Sequence, residues 1–475
     1  VQGVVFPQGP DGRRSSTATG RAVVAEALSA ADPALAAAAR DVRDWRRGYL
    51  GPFRDLVTAG LQPPDAAVAI ARRGVAALHE RMRVLTGSGE APLAAACTVT
   101  APREVQTVTA PAGTEVERGF SLPYQGRRLS GDDLHRRLDA WVAAGTIEPS
   151  CAEAVRTVAA NPDWLDLSDR TVVVLGAGAE MGPLHAVLRW GGTVAGVDLP
   201  RPGLWERVLG TAARYGGRLL LPAAPGPGPL PQRLGLDLLH DLPTVAGFVS
   251  GLDGPLVLGN YVYAPGATYL RVSAACDALT AHLLAERPGT ALAFLGTPTD
   301  VYAVPPEAVD AAGRAAEARA VLRAPLRLLS GGRLLRPTYP DGPVNDSLVP
   351  QQGPNYALAK RLQRWRAADA RAAGVPVAFS IAPPTRTRSV VRNRALAAAY
   401  AGAHRFGIEV FEPATSNTLM AALLVHHLRA PRPAGAPVWQ DEAFAAAHGG
   451  LWRIGYQARS ALGLAALIGF ATPRG

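Results

Sequence analysis

Apolar positions along the chain keep two different periods. From residue 21 to about 86, apolar and Ala positions recur at helical spacing, as in RAVVAEAL, DPALAAAARDVRDW and PDAAVAIARRGVAALHERM, with Pro-rich breaks near 52 and 63. This spacing predicts a helical bundle or cap. Ahead of it, residues 1–20 are rich in Gly, Ser, Thr and Pro and read as a loose arm. Residues 97–109, CTVTAPREVQTVT, hold enough Thr and Val for one or two short strands. At Ser130 a capping side chain followed by early acidic residues announces the helix SGDDLHRRLDAWVAAG, and IEPSCAEAVRTVAANP supplies one more.

Near 167–169 the texture changes. TVVVLGAG is a β-branched run ending in glycines, GPLHAVLRWGG is helical, and TVAGVDLP is a second strand ending in an acid, which together make a βαβ unit. Further strand candidates are 218–223, 244–250, 255–260, 290–296 and 375–383, with helical stretches at 270–286 and 355–373. Strands alternating with helices predict an α/β fold, a Rossmann-like doubly wound parallel sheet, with an additional mainly helical N-terminal domain. The expected boundaries are 1–165 for the helical domain, 166–430 for the dinucleotide-binding domain with an insertion at about 300–354 beside the active site, and 431–475 for a C-terminal extension.

Composition narrows the function classes. Three cysteines, Cys97, Cys151 and Cys276, are widely spaced and odd in number, so no disulfide framework or zinc site is expected. VQGVVFPQGPDGRR has no apolar core of signal-peptide length, and no long apolar run suited to crossing a bilayer occurs, so a cytoplasmic location is the expectation. The net charge of +10 is carried almost wholly by arginine, scattered along the chain and without a recognised nucleic-acid module, so nucleic acid is not an expected partner. Among 49 basic residues only Lys360 is a lysine. Arginine cannot replace lysine where a compact ammonium with an adjustable pKa is needed, and catalysis is the usual case.

Two motifs carry chemistry. After the strand 171–175 come Gly176, Gly178, Glu180, Met181 and Gly182, where glycines permit a tight turn and let backbone amides approach a pyrophosphate. Asp198 follows Gly176 by 22 residues at the end of the second strand, placed to bind adenosine ribose hydroxyls. NAD or NADP is therefore the expected cofactor. Asp198 tilts the choice to NAD, while Arg201 is near enough for a 2′-phosphate. The second motif is Tyr356-Ala-Leu-Ala-Lys360, whose spacing of four sets phenol and ammonium on one helix face. A phenol is a poor proton carrier at neutral pH, and an adjacent cation stabilises its phenolate, so Tyr356 is the candidate acid/base.

On TVVVLGAGAEMG, Asp198, GTALAFLGT, YALAK and GVPVAFSIAPPTRT, residues 171–420 resemble a divergent short-chain dehydrogenase/reductase. The resemblance implies Tyr356 as acid/base, and Lys360 as ribose ligand and tuner of the phenol. It also implies a strand-end hydroxyl that orients the carbonyl, here Thr297 with Thr299 in reserve. The family's helix asparagine falls at or near Ser273. The usual Pro-Gly after the last strand is Pro383-Pro384, with Thr385 and Thr387 in reach of the nicotinamide carboxamide. Glu180 stands where classical members have glycine; against extended members the replaced glycine is Ala179.

The expected activity is hydride transfer interconverting a carbonyl and an alcohol. The alternatives are a cofactor-retaining epimerase or dehydratase, and a non-catalytic dinucleotide-binding or scaffold protein. The expected partner is a small-molecule substrate, anionic or linked to an acyl carrier, and homo-oligomers are compatible with the sequence. His404, His426 and His427 lack acidic or Cys partners at ligand spacing and read as surface or core residues, so no metal is expected. Tyr261 and Tyr263 line a pocket or simply pack. The terminal ARSALGLAALIGF is too short to span a bilayer and reads as core or a dimer contact.

Overall fold

A computed structural model describes residues 3–87, 89–318, 320–433 and 435–471. At its centre is a seven-stranded sheet, numbered along the chain as β1 (Gln106–Thr109), β2 (Thr171–Leu175), β3 (Thr193–Val197), β4 (Arg218–Ala223), β5 (Leu256–Asn260), β6 (Ala291–Gly296) and β7 (Val377–Ile381). Across the sheet the order is β7-β6-β5-β2-β3-β4-β1. Strands β2 to β7 are mutually parallel, and β1 pairs antiparallel with β4 at one edge. The six parallel strands thus have the 3-2-1-4-5-6 order of a doubly wound sheet, with its crevice where the order reverses, between β2 and β5.

Burial on both faces explains the nearly continuous apolar runs. With a period of two, Val173, Leu175, Leu258 and Phe294 enter one core, while Val172, Val174, Val257 and Ala293 enter the other. The helices that position the site are α1 (Ser16–Leu28), α2 (Ala66–Arg81), α3 (Leu184–Arg189), α4 (Ala267–Glu286), α5 (Pro354–Ala372), α6 (Arg394–Gly402), α7 (Pro413–Arg429) and α8 (Leu462–Ala471). Helices α4 and α5 cover the first face and α1 and α2 pack outside them, while α3 and α7 cover the second. The core of the front helices runs without a break into that of the sheet.

Several elements differ from the sequence expectation. The supposed strand at 244–250 is a helix, Leu242–Ser250. Its buried residues Leu242, Val245, Ala246 and Val249 keep helical spacing, which a short apolar run disguises, and Pro243 sits in its first turn. Within the supposed loose arm, Gly3–Val5 is a buried strand paired with Arg83–Thr86, and α1 already starts at Ser16, capped by Ser15; residues 1 and 2 of that arm lie outside the described residues. Of 97–109 only β1 is strand. Ser130 precedes the helix Gly131–Ala143 without a side-chain capping bond, and Asp132 and Asp133 occupy the first turn.

Three distant helices meet at one buried carboxylate. Asp277 on α4 accepts two hydrogen bonds from Arg366 on α5, at 2.8 and 2.7 Å, and lies 2.6 Å from Nε2 of His79 on α2. Nearby, α2 approaches α5 so closely that a Cβ on Gly74 would lie 2.5 Å from the Trp365 ring. Asp277→Asn, which strips a buried guanidinium of its carboxylate, is expected to lower stability in a urea melt by about 3–5 kcal/mol, and Gly74→Ala by about 1–3 kcal/mol. Burial alone would push the Asp277 carboxyl up, but Arg366 and His79 more than offset it and hold the group below the usual carboxylate range. Its folded pKa being depressed, this contribution is complete above the ordinary aspartate pKa of about 4 and is lost only as pH falls below it, so acid melts of wild type and Asp277→Asn should converge.

Candidate active site

Thr297 is the first residue beyond β6, and Tyr356 and Lys360 sit on the first turns of α5, which packs beside that strand. Gly353, at φ +79°, turns the chain into α5, and Pro354 follows in the first turn, where a missing amide proton costs nothing. The structure brings the Thr297 side chain near enough to the phenol of Tyr356 to favour its ionised form. Thr297 Oγ1 lies 3.0 Å from Thr299 Oγ1, which accepts a hydrogen bond of 2.5 Å from Gln352 Nε2. Of the two expected hydroxyls, Thr297 is the one near the phenol, and Thr299 stands behind it.

Lys360 follows on the same helix face, but its Nζ donates to the Leu295 carbonyl at 3.0 Å and to Gln363 Oε1 at 3.3 Å. Burial pushes the ammonium down to about 8, with Asp300 the main opposing influence. Burial pushes the Tyr356 phenol up, against the opposing influence of Thr297, and the neighbouring Tyr400, Tyr263 and Asp300 push it further. The ring is 5.5 Å from Tyr269 and 6.4 Å from Tyr263, whose side chain is 60% exposed and marks the open side of the cluster. Ser273, one turn after Tyr269 on α4, is buried, and its Oγ has no hydrogen-bond partner among the described residues.

The ion cluster under this site was not visible in the sequence. Asp300, 1% exposed, accepts hydrogen bonds from Arg361 at 2.9 Å and Arg364 at 2.8 Å, and Arg364 extends to Glu442 at 2.7 Å. Burial would raise the Asp300 carboxyl, but Arg361 and Arg364 hold it below its ordinary value. Arginines in a helix ordinarily read as a solvated face, so only their spacing at i and i+3 and the acid just after TPT hint at the arrangement. Gln363, at i+3 from Lys360, was missed for the same reason.

The glycine turn lies across the sheet's reversal point. Gly176 has φ +89°, and a Cβ there would lie 3.1 Å from the Tyr261 backbone, so glycine is required twice over. Five amides of the turn bond within the chain: Gly176 and Ala177 to Val197 O, Ala179 to Gly176 O, Gly182 to Ala179 O, and Gly178 to Asp198 Oδ2 at 2.8 Å. Asp198 also accepts from Leu199 N at 2.7 Å, and burial raises its carboxyl pKa. Glu180 turns to the loop after β7, pairing with Arg388 at 3.1 Å and accepting from its amide at 2.8 Å. Its charge is thus neutralised locally. Thr385 Oγ1 lies 2.8 Å from Pro383 O and 2.6 Å from Ser416 Oγ, and Thr387 pairs with Ser389 at 2.9 Å. Met181 and Tyr261 line a small, partly open cavity of about 10 Å³ over β6 and β7, no larger than the space of about one water.

His404, in the turn after α6, contacts the Ala401 carbonyl at 2.9 Å, and His427 is buried 3.4 Å from Ser380, pushed down to about 3 by burial. His426 lies beside it on α7, and its Nδ1 has no hydrogen-bond partner among the described residues.

No protein-family model matches the chain, and no curated protein matches it at significant similarity. The residues present fit the adenosine half of a dinucleotide: Asp198 stands at the end of β3 beside the glycine turn, and a carboxylate accepting two amide bonds still has lone pairs for ribose hydroxyls.

Since Lys360 is the sole lysine, protein labelled with ¹³C-lysine should show one side-chain Cε signal. Its titration midpoint is expected at about 8, against about 10.4 for a solvated lysine. A midpoint near the solvated value would place the ammonium in water and remove it from this cluster.

Proposed function

We propose that the chain is an NAD(P)-dependent oxidoreductase that reduces a small carbonyl compound, with Tyr356 as proton donor. The observation that carries this reading is the meeting of Tyr356 and Thr297 at the carboxyl end of β6, with the only lysine one turn away and the glycine turn across the crevice. Gly176, Gly178, Gly182 and Asp198 would hold the dinucleotide, and Lys360 and the Thr385 loop would flank its nicotinamide end. When bound, nicotinamide supplies the hydride.

The chain's own residues supply the rest. Two hydroxyls converging on one point can both hydrogen-bond a carbonyl oxygen and polarise it. A phenol pushed above its ordinary pKa keeps its proton at neutral pH and can release it to an oxygen that gains charge as the carbonyl is reduced. That favours reduction over alcohol oxidation. The Lys360 ammonium, held by Leu295 O and Gln363, adds positive potential near the oxygen and is still charged at pH 7. Activity should fall as pH rises through about 8 and this ammonium is lost. A non-catalytic dinucleotide-binding role is the second reading, favoured by the five glycine-turn amides that bond within the chain.

Coenzyme fluorescence separates the readings. Wild type is expected to bind NADH or NADPH and to oxidise it when offered a panel of alkyl and aryl aldehydes. Tyr356→Phe should bind within about twofold of wild type yet lose turnover by about 10²–10⁴-fold. Binding without turnover in both proteins supports the scaffold reading, and binding of neither coenzyme overturns both.

A further inference from the structure

Ten large apolar side chains are exposed among the described residues, and they are not scattered. Four lie in the helix Ala320–Leu329, where Val321, Leu328 and Leu329 are each more than 80% exposed and Leu326 is 41% exposed. Three more lie on α8, among them Leu467 at 67% and Phe470 at 58%. Val391, at 55%, belongs to the short helix just before α6.

The chain ties these segments into one region. Arg336 N donates to Ser460 Oγ at 3.0 Å, and Gln457 N donates to Arg336 O at 2.7 Å, which ties the chain shortly after the first segment to the turn just ahead of α8. α8 in turn packs on α6 in backbone contact: a Cβ on Gly402 would lie 2.0 Å from Ala465 O. The exposed side chains of α8 therefore project from a stiff two-helix platform. α6 also carries Tyr400, which acts on the Tyr356 phenol, so this region borders the candidate site.

Its charge is one-sided. Residues 320–340 hold four arginines and no acid, residues 383–408 hold five arginines and no acid, and no acid occurs from 443 to 471; Arg388, Arg453 and Arg459 are paired with Glu180, Glu148 and Asp346, so the excess rests on the other arginines of the first two segments. Apolar side chains standing clear of the protein, interleaved with arginines, are the signature of a helix that lies in a membrane interface. Polynucleotide would pair with the arginines and leave the leucines in water. A second copy on a two-fold axis would bring this same arginine-rich face against itself. An anionic bilayer satisfies both features, since its phosphates meet the guanidinium groups and its acyl boundary takes the leucines. None of the described helices is long and apolar enough to cross a membrane.

We propose that the face formed by Ala320–Leu329 and α8 docks on anionic lipid bilayers. The inference stands apart from the oxidoreductase reading, since it needs neither coenzyme nor turnover. The test is flotation of the full-length chain with vesicles of pure phosphatidylcholine and of phosphatidylcholine mixed with phosphatidylglycerol. Binding is expected on the anionic vesicles, weakened by raised salt, and reduced about tenfold by Leu328→Glu with Leu329→Glu, or by Leu467→Glu with Phe470→Glu. These are surface positions, and circular dichroism with light scattering will report whether the variants keep their fold and mass. Absence of binding by wild type overturns the proposal, as does binding that all variants retain. A wild-type dimer that the substitutions dissociate, with no vesicle binding, assigns the face to a second copy instead.

Discussion

Asp300 is a carboxylate at 1% exposure that two arginines of α5 grasp from below the candidate site. A charge this deep is tolerable only when paired and hydrogen-bonded, so the turn after β6 and the first half of α5 hold one relative position. Thr297 lies three residues before Asp300, and Tyr356 lies five before Arg361. Their proximity follows from that clamp. Through Glu442, Arg364 carries the same constraint to the C-terminal segment, which otherwise has no strand in the sheet.

A second clamp of the same kind, at Asp277, ties the front helices to α4 and α5. A third, Glu148 with His448 and Arg453, joins the front segment to the C-terminal one. Segments distant in sequence are thus cross-linked by buried carboxylates, each met by arginine. Where arginine stands in for lysine throughout, its planar fork suits it to such bidentate contacts. Lys360 is the exception: its compact ammonium, buried, reaches a strand carbonyl and a glutamine and meets no carboxylate directly.

Burial sets the proton chemistry of the site. The same apolar walls that push Tyr356 up push Lys360 down, so desolvation drives the two pKa values apart, while the ammonium's hydrogen bonds go elsewhere. A phenol so placed holds its proton and a lysine so placed sits close to losing its own. Glu180, an apparent obstacle to any anion at the glycine turn, is answered by Arg388 from the far side of the crevice, a residue 208 positions away.

The period-two runs, the glycine turn with its acid, and the lysine that arginine did not replace all stood in the sequence, because each depends on neighbours within a few residues. They sufficed for a mostly parallel sheet and for six of its strands. The run at 244–250 escaped because a short apolar stretch suits strand and helix alike until its packing surface is known. What tertiary structure alone decided was electrostatic: which carboxylate meets which arginine, where the ammonium's protons point, and whether an acid beside the glycine turn faces a ligand or a guanidinium. Those choices join residues tens to hundreds of positions apart through space, and no local pattern encodes such a distance.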